Sequence, residues 1–129
     1  MFSVLYENEP RVTVDVTEFP YYCVEWGDTS IFAHHGDKRN LSDVSKVFAA
    51  MYRDVFGRTK YSYGHIGHYH HTASKEDGLM AVQIHATLAP KDSYATRHGY
   101  TSQRRAKTII YHKKYGEVGS SIVTPDMLT

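Results

Sequence analysis

Four of the nine histidines in this 129-residue chain fall within eight positions, in the run GHIGHYHH from residue 64 to residue 71. A shorter group, AHHGD, occupies residues 33 to 37. Both join histidine to glycine at the end of a strand-like run, and loops in such places carry chemistry. Neutral imidazole is a good ligand for zinc, iron, nickel and manganese. His68 and His70, two residues apart, project to the same side of a locally extended backbone. The glycine before His68 lets the chain turn tightly and leaves room beside it. His35, His68 and His70 are therefore the candidate metal ligands. His34, His65 and His71 are expected to support them, to serve as alternative ligands, or to lie at the surface. His85, His98 and His112 read as ordinary half-exposed side chains.

The elements around these groups must bring them together. PYYCVEWG (20–27) and TSIFAHHGD (29–37) read as two strands joined by a hairpin turn at Gly27 and Asp28. Leu41, Val44, Val47, Phe48, Met51, Val55 and Phe56 follow three-four spacing and predict one helix with an apolar face. Asn40 is its expected N-cap, with Asp43 in the first turn and Gly57 as its stop. KYSYGHI (60–66) is the next strand, running into the histidine loop. A strand-helix-strand unit returns its second strand beside the first by a right-handed crossover, with both carboxyl ends on one edge. Open α/β sheets bind ligands at that edge. The topology thus predicts that His35 comes close to His68 and His70.

The remaining segments fill in a mostly-sheet α/β layer structure with one long helix. RVTVDV (11–16) alternates apolar and polar residues as a half-buried strand does. GLMAVQIHATL (78–88) is a further strand, and residues 90–105 form an irregular polar stretch. AKTIIYHKKYGEVGSSIVT (106–124) predicts a closing hairpin with its turn at YGE.

Size predicts a single domain over residues 1–129. With 15 basic and 14 acidic residues the net charge is +1, so no long-range field argues for nucleic acid or an anionic membrane. No apolar run is long enough to span a bilayer, and the first residues lack the apolar core of a signal peptide. The single cysteine, Cys23, fits a reducing cytoplasm and reads as a buried filler rather than a nucleophile. Most of the eleven tyrosines fall in strand-like segments.

HGD (35–37), GHYHH (67–71) and DSYATRHGYTSQRRAKTIIY (92–111) together resemble the C-terminal half of a calcineurin-like metallophosphoesterase, of the type common in phages and prophages. The resemblance spans nearly the whole chain, and GHYH is similar to the last family motif, Gly-His-x-His. It implies the C-terminal half of an α-β-β-α sandwich. It also implies two divalent ions (manganese, iron, nickel or zinc), with His35 and His68 on one, His70 on the other, and Asp37 orienting its neighbour. Such ions clamp a phosphoester and activate a hydroxide for in-line attack on phosphorus.

The earlier family motifs, Asp-x-His, Gly-Asp with a distant Asp, and Gly-Asn-His, are missing. Three neutral histidines supply no bridging carboxylate, so the chain reads as half an enzyme, and no catalytic residue is assigned on this chain alone. The first expectation is a C-terminal subunit or fragment of a two-metal phosphodiesterase or nuclease, completed by a second polypeptide that carries the missing motifs. The alternative is a non-catalytic binding or assembly module, including a homo-oligomer, that keeps a residual metal site. A single-metal hydrolase on His35, His68 and His70 ranks last. Arg104 and Arg105, in TSQRRAK, are candidate phosphate contacts, and a nucleic acid or nucleotide is the expected substrate by analogy. The expected location is the cytoplasm, that of the host for a phage-encoded chain.

Overall fold

The computed structural model describes residues 1–37, 40–69, 72–90 and 103–128. Its elements, in chain order, are α1 (Phe2–Leu5), β1 (Tyr21–Trp26), β2 (Thr29–His34), α2 (Val44–Met51), α3 (Arg53–Arg58), β3 (Tyr61–Ile66), β4 (Ala73–Glu76), β5 (Ala81–Ile84), β6 (Ala106–His112) and β7 (Gly116–Val123). A 3-10 turn, Pro125–Leu128, follows. The architecture is mixed α/β and mostly sheet.

Five strands form one sheet in the order β1-β2-β3-β5-β4. β1 and β2 pair antiparallel through the two-residue turn at Gly27 and Asp28, with Trp26 opposite Thr29. β2, β3 and β5 run parallel, which requires a crossover, and α2 with α3 supplies it between β2 and β3. The parallel register sets His34 opposite Ile66, so both carboxyl ends share one edge.

The two faces of the sheet are covered differently. On one, Phe32, Ile66, Val82 and Ile84 are buried together with Val44 and Phe48 of α2. The rings of Phe32 and Phe48 stack at 5.5 Å. Gly64 permits this approach, because a Cβ there would lie 3.0 Å from Val82 Cγ2 and 3.1 Å from Phe48 Cε2. Phe48 is fully buried, and truncating such a ring costs about 3–5 kcal/mol. On the other face the β6-β7 hairpin covers β3 and β5. Tyr63 and Tyr111 meet ring to ring at 4.9 Å. The Thr29 hydroxyl donates to the His112 carbonyl at 2.8 Å, and Glu117 N–H donates to the Tyr63 hydroxyl at 2.9 Å.

Five features differ from the sequence expectations. The single long helix is two short ones, because Tyr52 leaves helical geometry (φ −119°, ψ 48°). Its hydroxyl donates to the Tyr21 carbonyl at 3.0 Å, and its ring lies 5.8 Å from that of Phe32. Gly57 falls inside α3 rather than beyond it. Asn40 still organises the helix entry, its Oδ1 accepting from the N–H groups of Ser42 and Asp43.

RVTVDV forms no strand. Its side chains are mostly exposed, and local bonds hold it instead: Val12 N–H to the Glu9 carbonyl and Thr17 N–H to Asp15 Oδ1. Alternation predicts a strand only where a neighbour offers a ladder. Conversely, polar ASKE forms β4, an edge strand antiparallel to β5. The closing turn lies at Lys113–Tyr115, with Gly116 already paired to His112.

Candidate functional site

The carboxyl ends of β2 and β3 bring His35 and His68 together. Gly67 N–H donates to the His35 carbonyl at 3.1 Å, tying the two loops, and His68 Nδ1 lies 3.1 Å from His35 Nε2. Gly36 makes the junction possible. It sits at φ 102°, and a Cβ there would lie 3.0 Å from the Gly67 carbonyl oxygen and 3.3 Å from the Tyr69 ring. His34, just before, is buried, stacks on Tyr21 at 4.4 Å and accepts the Gly36 N–H on Nδ1 at 2.9 Å. It therefore shapes the loop rather than facing solvent.

His68 is the one described non-glycine residue with positive φ, at 66°. Tyr69 N–H donates to the Gly67 carbonyl at 2.8 Å, closing a three-residue turn around it. Such a turn is rare and strained for an L-residue. The turn presents an exposed imidazole whose ring meets those of His35 and Tyr69. Asp37 lies at the surface just beyond Gly36. His70 and His71 fall outside the described residues, as does His98.

The pair is suited to one cation. Two nitrogens bound at ~2.0–2.1 Å to a tetrahedral ion sit about 3.3 Å apart, close to the 3.1 Å found here. Imidazole binds a metal without supplying charge, and among the described residues no group of three histidine, cysteine or acidic side chains is placed to hold a metal. His35 and His68 thus bring two ring nitrogens together, with no carboxylate beside them in a group of three.

A second histidine group lies under the hairpin. His65 Nε2 is 2.6 Å from the Tyr111 hydroxyl and His65 Nδ1 is 2.7 Å from His85 Nε2. Burial, then His85, then Lys107 push His65 down to about 4, and burial with Lys107 lowers His85. Burial raises Tyr111, so the phenol keeps its proton. Both histidines are neutral at pH 7. His85 and Tyr111 escaped sequence reasoning, which treated His85 as an ordinary side chain. The contact comes from the strand register, which no local sequence signal sets. Gln83 pairs with His65 across the parallel β3-β5 ladder, and His85 follows on the same face two residues later.

Other expected residues are placed as follows. Arg104 Nε donates to the Leu88 carbonyl at 2.7 Å, and Arg105 Nη2 to the Thr72 hydroxyl at 2.5 Å. Cys23 packs against the core, and burial raises its thiol. Among the described residues no helix is long and apolar enough to cross a membrane.

No protein-family model and no curated protein sequence matches the chain. Among solved structures it is similar to a conserved uncharacterised protein from Streptococcus pneumoniae TIGR4, described as a predicted phosphoesterase. The TM-score is 0.52 at 12% identity, over 88% of this chain and 58% of that one. The likeness is one of fold. The chain spans little more than half the length of that neighbour.

Proposed function

We propose that this chain is the histidine-bearing part of a two-metal phosphoesterase, of the calcineurin-like type, completed by a second polypeptide. The observation that carries this is the His35–His68 pair, held 3.1 Å apart at the carboxyl edge of β2 and β3 by a strained turn. The fold likeness to a predicted phosphoesterase supports the reaction class.

In this reading His35 and His68 bind one divalent ion and His70 the other, the ions being manganese, iron, nickel or zinc. When bound, such ions polarise the phosphoester oxygens and lower the pKa of water. The chain's own part is to present neutral imidazoles in fixed directions. The Gly67-to-His35 bond locks the two loops together, and Asp37 stands next to orient the site. Carboxylates that bridge the ions come from the partner. Tyr22, Val24 and Trp26, exposed on one face of edge strand β1, offer that partner an apolar surface. A nucleic acid or nucleotide in the cytoplasm, of the host for a phage-type protein, is the substrate by analogy.

Native mass spectrometry of the protein taken from its own genetic context, with metal content read on the same sample, tests this. A heteromer that carries two metals and hydrolyses bis-p-nitrophenyl phosphate is the expected result. A metal-free chain, alone or self-associated, would overturn it in favour of a binding or assembly module.

A further inference from the structure

A concave cleft with a cavity volume of 330 Å³ opens where the edge of the main sheet meets the hairpin. That volume is at the low end of small-molecule sites. It contains neither His35 nor His68. Thr72 and Ser74 line it from the β4 side, Gln83 and His85 from the β5 side, and Arg105 and Lys107 from the start of β6. Two of these residues are cationic and none of the lining residues is acidic. Ile122 and Ala86 add an apolar wall.

The donors converge. Arg105 uses one N–H on Thr72, and its other guanidinium N–H groups have no partner among the described residues. Thr72 accepts that bond and keeps its own hydroxyl hydrogen. Lys107 Nζ reaches Gln83 Oε1 at 3.1 Å, holding the ammonium over the cleft. His85 stands beside them in the lining. Behind it, the Tyr111 hydroxyl lies 2.6 Å from His65 Nε2, and His65 Nδ1 lies 2.7 Å from His85 Nε2.

We propose that this cleft binds a small organic phosphate, its oxyanion held by Arg105 and Lys107 and its apolar part against Ile122 and Ala86. The donor set exceeds what the two oxygens of a carboxylate accept and suits the three terminal oxygens of a phosphate. The two cations, which have no acidic partner among the described residues, match a dianion. The site is separate from the histidine pair and needs no metal.

The test is calorimetric titration of the full chain in a chelator, above neutral pH, with phenylphosphonate, which no phosphoesterase hydrolyses. Saturable binding is expected. Arg105→Gln and Lys107→Gln should each weaken it at least about tenfold, while Arg11→Gln, which removes an exposed charge beside Glu9, leaves it unchanged. Lys107 is exposed, so its variant folds whatever becomes of the Thr72 contact. No saturable binding, or equal binding by both cleft variants, would overturn the assignment. Because metal is absent, failure of the phosphoesterase reading leaves this result intact, and the reverse holds too.

Discussion

His35 Nε2 and His68 Nδ1 lie 3.1 Å apart although 33 residues separate them in the chain. The parallel pairing of β2 with β3 creates this proximity, and the bond between Gly67 N–H and the His35 carbonyl fixes it. In the metal-free protein the two rings are hydrogen-bonded. Their separation is close to that of two nitrogen ligands on one tetrahedral ion.

That relationship predicts metal affinity. His35→Ala and His68→Ala should each lower zinc or manganese affinity at least about tenfold, since losing mere supporting groups around a metal already costs that much. Competition against a chromogenic chelator measures it. Two variants that bind as well as the parent would remove the pair from the site.

The backbone at His68 makes a separate prediction. At φ 66° a side chain is strained, and glycine is not. His68→Gly should stabilise the metal-free fold by about 1 kcal/mol relative to His68→Ala, as read by thermal denaturation, while both lose the ligand. If glycine brings no gain over alanine, the turn is not strained and its geometry carries no functional weight.

The pH dependence follows from the buried histidines. Folded His65 stays neutral until about pH 4, whereas the unfolded residue takes up its proton near 6.5. Between those values the unfolded chain binds more protons, so stability is fully present above about pH 6.5 and declines as pH falls towards 4. The loss from this residue is on the order of 3 kcal/mol, and the lowered His85 adds in the same direction. Urea denaturation across that window should show the slope, and His65→Asn should flatten it. A flat profile in the parent protein would mean that His65 titrates in the fold.

Much of this arrangement was legible in the sequence, and the misses have physical causes. β1, β2, β3, β5 and the hairpin announced themselves through β-branched and aromatic runs. The proximity of His35 to His68 followed from crossover topology before any coordinates. RVTVDV has the period of a strand but no partner ladder, and period alone does not supply one. ASKE has the partner without the apolar pattern, because an edge strand with one exposed face needs little of it. The break at Tyr52 lies within an unbroken three-four pattern; it depends on a hydrogen bond to Tyr21, which only tertiary structure creates. The His65–His85 contact depends on the β3-β5 register, which no local signal sets.

Thr29 connects the hairpin to the sheet, and through it to the histidines. Thr29 is fully buried, and its hydroxyl donates to the His112 carbonyl at 2.8 Å, beside the bond from Asp28 N–H to the Lys113 carbonyl. Thr29→Val keeps the shape and leaves that carbonyl without its donor, a cost of about 1–3 kcal/mol. Because Tyr111 sits on the same hairpin, loosening it should also weaken the 2.6 Å contact with His65. Hydrogen exchange should quicken in β6 and β7 more than in β2, and the imidazole nitrogen resonances of His65 should shift. Uniform acceleration across both sheets, with His65 unmoved, would show instead that the hairpin and the main sheet open as one unit and that Thr29 does not govern the seat of Tyr111.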